Sequence, residues 1–460
     1  MTDRTGAGLP LLLRIGLTVL VTMAALGSRP AAAQSLTEVL ATTYTTNPQL
    51  LAGRAELRAT NEFLPQALSG WRPVIAGTAN VGESWIDSDI GTETHTPRAV
   101  GLSLSQPVYR GGRTVAETRQ AENLVLAQRA RLVAIEQAVL FDAATAYMDV
   151  VRSVAVLELN INNEQVLARQ LQASQDRFEV GEITRTDVAQ SEARLARATA
   201  GRISAEGDLT ESRGRFVEVV GDAPGTLKTP PIVSTLPASL EEAIEVATAA
   251  SPNVVTADYV ERAARDGVDV VFGELLPSVS VEANSEYGQE LSAFDDGDRT
   301  SATIEARLTV PLYQAGEVSS RVREAKKRAS QRRLEMAQQR RAAAQFATAS
   351  WEALSTARAQ IAAFEAEVLS NEIALEGVRE EASVGARTVL DVLDAEQELL
   401  DSRVNLVGAK RDEIVAGFQL LSAVGNLTAR DLDLPVEYYD YQADYLEVRN
   451  KLWGVSANEE

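Results

Sequence analysis

The sequence predicts a mainly α-helical protein in which one long-helix unit occurs twice and each copy carries a β-hairpin. Three observations lead to this fold class. Motifs recur along the chain at one constant offset, two stretches of more than a hundred residues contain no proline, and the short segments before these stretches alternate apolar with polar residues. The absence of proline favours long helices, and period-two alternation is typical of strands.

The composition limits the chemistry that the chain can perform. Its 460 residues include no cysteine and a single histidine, His95, which excludes disulfides, thiolate metal sites and paired-histidine metal sites. The formal net charge of −21 argues against nucleic acid as a partner, because nucleic-acid binding requires a basic surface. No glycine-rich phosphate loop or serine-nucleophile motif occurs, so we expect no cofactor, no metal and no catalysis.

The N-terminus has the pattern of an export signal. Arg4 and Arg14 flank the start of an apolar run at 15–26, and the Ala-Ala-Ala sequence before Gln34 satisfies the small-x-small rule for cleavage. The alternative, a membrane anchor helix, needs about 20 apolar residues. We therefore predict that residues 1–33 are a cleaved signal peptide and that the mature protein is exported.

The chain contains an internal duplication in constant register. Ser35-Leu36 recurs as Ser239-Leu240, an offset of 204 residues, and the same offset relates further motifs without a gap. These further pairs are Asn47-Pro48 with Ser251-Pro252, Pro107 with Pro311, Asp187-Val188 with Asp391-Val392, and Val220-Gly221 with Val424-Gly425. The chain therefore divides into a first repeat (34–222), a Pro-rich linker (223–238), a second repeat (239–426) and a C-terminal tail (427–460).

Each repeat is expected to be mostly helix. No proline occurs in 108–223 or in 312–434, and Ala, Leu, Glu, Gln and Arg dominate both stretches. In the first repeat we predict helices at 35–69 (broken at Asn47-Pro48), at 113–180 and at 183–220. At about 1.5 Å per residue, the longest of them would span about 100 Å.

A β-hairpin is expected between the first and second helices of each repeat. In the second repeat, apolar side chains from Val279 to Tyr287 occupy one face, while Ser280 and Glu282 begin the polar face, and residues 303–310 alternate in the same way. The first repeat has the same pattern in a less regular form. Each hairpin should therefore have one apolar and one polar face.

The loops at the ends of the two hairpins are expected to be exposed and polar. His95 lies in the first loop, and the acidic residues of the second loop fall between Asp295 and Asp298. A calcium site in the second loop is the alternative, although the loop lacks the length and ligand spacing of a known calcium-binding loop.

Alternation usually indicates a strand that is half-buried on a soluble core. Here no second layer is predicted to cover the apolar face, and the chain is predicted to be exported. We therefore expect the apolar face to meet lipid and the polar face to line a transmembrane β-barrel. Four strands cannot close such a barrel, because lipid does not tolerate an open edge and small barrels need about eight strands. The protein must then oligomerise: two copies would supply eight strands and three would supply twelve.

Together these features resemble the TolC-type outer-membrane efflux proteins. The resemblance rests on the duplicated helix–hairpin–helix–helix unit, a Pro-x-Tyr-x-x-Gly turn before each long helix, paired Val-Gly loops and the segment 383–394. It implies a homotrimer that shares a twelve-stranded β-barrel in the outer membrane and an α-helical barrel in the periplasm. It also implies outer-membrane lipid, a periplasmic adaptor and an inner-membrane pump as partners of a passive exit duct for efflux or type I secretion. A soluble periplasmic coiled-coil adaptor is the alternative.

A short segment of the second repeat carries the candidate gate residues. Asp391 and Asp394 are three residues apart near the start of a helix, so they lie on one face. The resemblance places them in a carboxylate ring that narrows the periplasmic tip, whereas the alternative is a solvated acidic face. Arg387 could pair with Asp391 along the helix. The resemblance instead has Arg387 reach Thr186 and Asp187 to hold the entrance closed.

The Val-Gly turns are the candidate contact points for an adaptor. Gly181 and Gly385 are expected to adopt positive φ at a helix C-terminus. The resemblance has these glycines and the preceding Val180 and Val384 meet the adaptor. The sequence departs from the family at Ala382, where members with a well-defined latch have an aromatic hydroxyl, so one arm of the latch is missing. The aromatic tail is expected to pack around the waist of the helical barrel.

Overall fold

The computed structural model describes residues 34–89, 91–231, 236–289, 291 and 297–456. The predicted signal peptide, residues 1–33, lies outside the described residues, and so do Asp295 and Asp296 of the acidic loop. Within the described ranges, helices make up most of the chain and the strands form two antiparallel sheets.

The helices repeat at the offset found in the sequence. The first repeat contains α1 (Leu36–Thr46), α2 (Pro48–Asn61), α3 (Phe63–Leu68), α4 (Arg113–Glu179) and α5 (Arg185–Val220). The second repeat contains α6 (Leu240–Ala250), α7 (Pro252–Phe272), α8 (Glu317–Ser383) and α9 (Val389–Val424), and the tail contains α10 (Ala443–Arg449). The long helices α4 and α8 have 67 residues each, and α5 and α9 have 36 each, which confirms the predicted long helices. Of the described helices, none combines the length and the apolar character needed to cross a membrane.

Local sequence determines where the short helices begin and end. Asn47 separates α1 from α2 and accepts a hydrogen bond from the Gln49 N–H at 2.9 Å, while Pro48 fits the first turn of α2. A further break at Glu62, between α2 and α3, was not predicted from the sequence. Pro65 accounts for it, because proline has no N–H to continue the helical ladder and its ring clashes with the preceding turn. The second repeat has no proline there, and α7 is continuous.

The two hairpins combine into one sheet that joins the repeats. The strands are β1 (Val74–Val81), β2 (Ser84–Ser88), β3 (Gly91–His95), β4 (Arg98–Arg110), β5 (Ser278–Gln289) and β6 (Asp298–Thr309). Four of them form an antiparallel sheet in the order β1-β4-β5-β6. Because β4 belongs to the first repeat and β5 to the second, their pairing fixes the two repeats side by side.

The register of this sheet confirms the predicted alternation. Ile75, Leu104, Ala283 and Ile304 lie in one row across the four strands on the apolar face. The next row, on the opposite face, includes Ser105, Glu282 and Glu305. No described residue covers the apolar face, and Ile304 is 81% exposed. An apolar surface of this kind calls for cover from outside the chain.

A smaller hairpin, formed by β2 and β3, extends the first hairpin and was not predicted. His95 pairs with Ser84 in this hairpin, so it lies in a strand and not in the loop predicted for it. The β-prone Trp85 and Ile86 favour pairing here, although the segment is too short to show a clear alternation. Among the described residues, no cluster of histidine, aspartate or glutamate side chains could hold a metal ion.

The main hydrophobic core lies midway along the long helices. Ala143 and Ala144 of α4 are fully buried, and such small side chains allow the helices to approach closely. The Tyr147 hydroxyl accepts a hydrogen bond from the Lys228 N–H at 3.0 Å and lies 2.9 Å from the carbonyl oxygen of Gln34. This buried tyrosine therefore holds both the linker and the segment before α1 against α4.

The C-terminal tail packs against the middle of α4. The buried carboxylate of Glu136 accepts hydrogen bonds from the Ala429 N–H at 2.7 Å and from the Tyr441 hydroxyl at 3.4 Å. The Arg54 guanidinium lies over the Tyr439 ring, 5.2 Å from its centre. Burial raises the pKa of Glu136 above its ordinary value of 4.5, although both donors oppose the shift. The buried carboxyl group of Glu136 thus links two points of the tail to α4.

Replacing Glu136 with glutamine should make the fold less sensitive to pH. Because the pKa of Glu136 is raised in the folded state, its stabilising effect is complete below the unfolded-state pKa and is lost as the pH rises through the folded-state pKa. Glutamine stays neutral, so Glu136→Gln should become more stable relative to the wild type as the pH rises from about 5 to about 8. Thermal denaturation at both pH values measures the difference. The exposed Glu192→Gln serves as control, and a difference that does not change with pH would contradict the prediction.

Candidate functional site at the helix turns

Two similar turns join α4 to α5 and α8 to α9. Gly181 and Gly385 adopt φ angles of 80° and 79°, in the region that glycine occupies without strain. In both turns, the N–H after the glycine donates to a carbonyl in the last helical turn at 2.9 Å. The preceding Val180 and Val384 are 71% and 79% exposed. Each turn therefore presents an exposed valine on a fixed bend.

A capping box begins the helix that follows each turn. The Thr388 N–H and hydroxyl donate to Oδ2 of Asp391 at 2.9 and 2.8 Å, and the Asp391 N–H donates to the Thr388 hydroxyl at 3.3 Å. Thr184 and Asp187 form the same arrangement at the start of α5. The Thr388 N–H, with its hydroxyl, lowers the pKa of Asp391, and the Thr184 hydroxyl, with its N–H, lowers the pKa of Asp187. Both carboxylates are therefore ionised at neutral pH.

Arg387 pairs with a residue of its own turn. Its Nε donates to Oε2 of Glu381 at 2.8 Å, and both side chains are about half exposed. Among the described residues, no hydrogen bond or ion pair joins Arg387 to Thr186 or Asp187. Thr186 is exposed, and Asp187 is held by its capping box. The latch between the two turns is not formed in a single chain and stays a prediction.

The structure connects the two repeats near the turns through a pair that was not predicted. Arg194 of α5 donates through Nη2 to Oδ1 of Asp394 in α9. Val389 and Leu393 pack below this pair in a small apolar cluster with Ala198. Asp394 thus lies where the two repeats meet, whereas Asp391 is hydrogen-bonded to Thr388 at the start of its own helix.

No local pattern in the sequence selects Arg194. Its equivalent in the second repeat is Glu398, and its partner Asp394 is 200 residues away, so neither the offset nor helical spacing indicates the pair. Both helices carry many exposed charges. Only the packing of α9 against α4 and α5 determines which of these charges meet.

The helix pairs with matching capped turns, attached to a sheet whose apolar face is uncovered, are typical of a transport channel. The family model described as "Outer membrane efflux protein" matches residues 40–222 and 243–426. The two matches cover both repeats, including their hairpins, so the chain belongs to this family of transport channels. A soluble periplasmic adaptor, the alternative considered from the sequence, is set aside on this ground.

Individual relatives agree with this assignment. The outer membrane efflux protein BepC of Brucella suis biovar 1 is 33% identical over 441 residues, which cover 96% of this chain and 96% of that protein. The outer membrane protein TolC of Vibrio cholerae serotype O1 is 29% identical over 423 residues, covering 89% of this chain and 95% of that protein. The crystal structure of the Campylobacter jejuni CmeC outer membrane channel shares the fold, with a TM-score of 0.78 at 16% identity over 90% of this chain and 89% of that chain. The protein is therefore an outer-membrane exit duct for efflux or secretion.

Removing the carboxylate of Asp391 should loosen the first turn of α9. Asp391→Ala removes the acceptor of both Thr388 donors, so the amides of 388–392, that of Thr388 first, should exchange hydrogen faster, as measured by mass spectrometry. Asp187→Ala should have the same effect at the start of α5, while Glu398→Ala, exposed on α9, should not.

The same capping interaction should disappear in strong acid. The pKa of Asp391 in the folded protein lies below its ordinary value of 3.8. The capping interaction therefore stabilises the helix at any pH above 3.8, and this stabilisation is lost as the pH falls through the folded-state pKa. Wild type and Asp391→Ala should therefore exchange alike only in strong acid. Equal exchange at neutral pH would refute the capping role.

Proposed function

We propose that three copies of the chain close one continuous duct, with a twelve-stranded β-barrel in the outer membrane and an α-helical barrel in the periplasm. The observation that carries this proposal is the open four-stranded sheet, in which no described strand pairs with the outer edges of β1 and β6 and no described residue covers the apolar face. Pairing β6 of one copy with β1 of the next satisfies the edge groups, as a lipid environment requires. We also infer that residues 1–33 direct export and are removed.

The helices support the same closure. Helix α8 packs against α6, α7 and α9, whereas α2, α3 and α5 pack against α4. The chain is therefore a layer with α8 at one margin and α2, α3 and α5 at the other. Joining these margins around an axis gives a closed wall of helices below the barrel.

The duct is passive, and its transport is driven by partners. The exposed Val180-Gly181 and Val384-Gly385 turns form the end of the duct farthest from the sheet, where a periplasmic adaptor and, through it, an inner-membrane pump would dock. An apolar side chain held on a fixed bend suits recognition by a partner, because little conformational entropy is lost on binding.

The gate lies at the same end. Asp391 and Asp394 of each copy bring acidic side chains close to the axis, and a narrow opening lined by one sign of charge favours cations over anions. Arg387 completes the gate as a latch to Thr186 and Asp187 of a facing turn. Its half-exposed pair with Glu381 is weak, because water screens the attraction between exposed charges, so Arg387 can exchange partners.

Single-channel recording in planar bilayers tests the duct and the gate together. The mature protein should insert and give a small, cation-selective conductance, and Arg387→Ser should raise the conductance because it frees the latch. Asp394→Asn should lower the selectivity for cations. Glu365→Gln is the matched control, since Glu365 forms an equally exposed ion pair with Lys410 away from the turns.

Each outcome of this experiment separates the parts of the proposal. Insertion with unchanged conductance in Arg387→Ser would remove the latch and keep the duct. Unchanged selectivity in Asp394→Asn would remove the charge ring. Failure of well-folded protein to insert would overturn the duct itself.

A further inference from the structure

The contact between the two repeats shows how one copy of the chain would meet the next. The turn after β4 packs tightly on the segment before β5: a Cβ on Gly111 would lie 2.2 Å from the carbonyl oxygen of Gly273 and 3.0 Å from Cβ of Leu276. Tyr109 lies opposite Val279 in the β4–β5 pairing. This junction is internal, and it leaves Tyr109 only 43% exposed.

The same junction, shifted by the repeat offset, falls between two copies, and this step rests on the proposed ring. The equivalent of Gly111 is Ala315, and the equivalents of Gly273 and Leu276 are Ser69 and Arg72 of the next copy. Two glycines are thus replaced by residues with side chains, so the turn cannot approach as closely between copies. Ala315 already has the positive φ of 53° that this turn requires. The junction between copies is therefore wider than the internal one.

The end of the tail lies beside this wider junction. Nη1 of Arg72 donates to the carbonyl oxygen of Lys451 at 2.8 Å, which holds residues 451–455 next to the start of β1. Leu452 and Val455 are exposed in this segment, and Trp453 is 90% exposed. After the first repeat, the described residues of the linker (223–231 and 236–238) contain no equivalent of this tail end.

The opposite margin of the chain carries a matching apolar turn. Leu312 and Tyr313, between β6 and α8, are 92% and 87% exposed. Tyr313 is the equivalent of Tyr109, whose exposure is half as large because β5 lies beside it. The high exposure of Tyr313 therefore indicates the place where a neighbouring strand and its preceding segment are missing.

We propose that residues 451–455 of one copy pack on the Leu312–Tyr313 turn of the next copy and hold the ring together just below the sheet. The chemistry is an aromatic and aliphatic contact between Trp453 and Tyr313, with Leu452 and Val455 filling the space that the larger Ser69 and Ala315 open. Tryptophan and tyrosine are the residues most often found at the energetic centre of protein interfaces.

The charges below this contact favour the same neighbour. Helix α8 has exposed cations that form no ion pair with any described residue: Arg323, Lys326, Lys327, Arg333, Arg340 and Arg341. Three of these cations, Lys326, Arg333 and Arg340, are the repeat equivalents of residues on α4 that contact the tail. The three contacts on α4 are Glu122 with Arg449, Arg129 with Tyr445, and Glu136 with Tyr441. The tail also exposes Glu437 and Asp440. An acidic tail beside an unpaired basic helix is electrostatically complementary.

Disulfide trapping tests the contact directly, because the chain has no cysteine of its own. In the full-length protein, Trp453→Cys combined with Tyr313→Cys should give covalent dimers and trimers after copper–phenanthroline oxidation, seen on non-reducing gels. Trp453→Cys combined with Tyr109→Cys is the matched control, since Tyr109 is the equivalent residue of the first repeat and lies at the internal junction. This control should leave the monomer band. Single-cysteine variants should give no covalent multimers.

A second measurement does not depend on cysteine geometry. Trp453→Ala should raise the subunit dissociation constant of the purified trimer by about tenfold or more, while the far-UV circular dichroism stays unchanged. A trimer that neither cross-links nor loosens would overturn the contact and leave the ring intact. In a variant whose other three tryptophans are replaced by phenylalanine, quenching of the Trp453 fluorescence by brominated lipid, without cross-linking, would assign the tail end to the membrane and also overturn the contact. A wild type that is monomeric by native mass spectrometry would instead overturn the proposed ring.

Discussion

The uncovered apolar face of the four-stranded sheet is the constraint on which the rest of the structure depends. In the proposed duct this face lies against lipid, and a sheet in lipid cannot keep unpaired edges. The chain therefore has to offer two margins that fit each other. The duplication supplies this fit. Strand β6 is the repeat equivalent of β4, and β1 is the repeat equivalent of β5, so β6 of one chain can pair with β1 of the next as β4 pairs with β5 within a chain.

The two repeats are equivalent in their helix bounds and differ in their contacts. An ion pair spans each turn, but the order of its charges is reversed. In the turn after α4 the base precedes the acid, with Arg177 paired to Glu182 at 3.1 Å. In the turn after α8 the acid precedes the base, with Glu381 paired to Arg387. The proline that breaks the first repeat after α2 and the single C-terminal tail add to the asymmetry. Helix lengths set the dimensions common to both repeats, and these departures make the contacts of each repeat different.

Much of the fold could be predicted from the sequence because proline and glycine mark the ends of its elements. The predicted helices at 113–180 and 183–220 end within two residues of the observed ones, and the alternating strands gave the correct faces. The candidate site was harder to predict. Several partners of similar strength are available to each exposed charge, because water screens every such pair. Local spacing therefore does not show that Arg387 pairs with Glu381, and Arg194 meets Asp394 only through tertiary packing. The β2–β3 hairpin was missed because it is too short to show a period.

The equal lengths of α4 and α8 restrict how this protein can change in evolution. One residue inserted into α4 alone would move its turn by about 1.5 Å and rotate every side chain beyond it by about 100°. The two turns of a chain would then end at different levels, and the cluster that joins Leu167, Ala198, Val389 and Leu393 would lose its alignment. A change in helix length keeps this alignment when it affects both repeats equally and restores the helical phase.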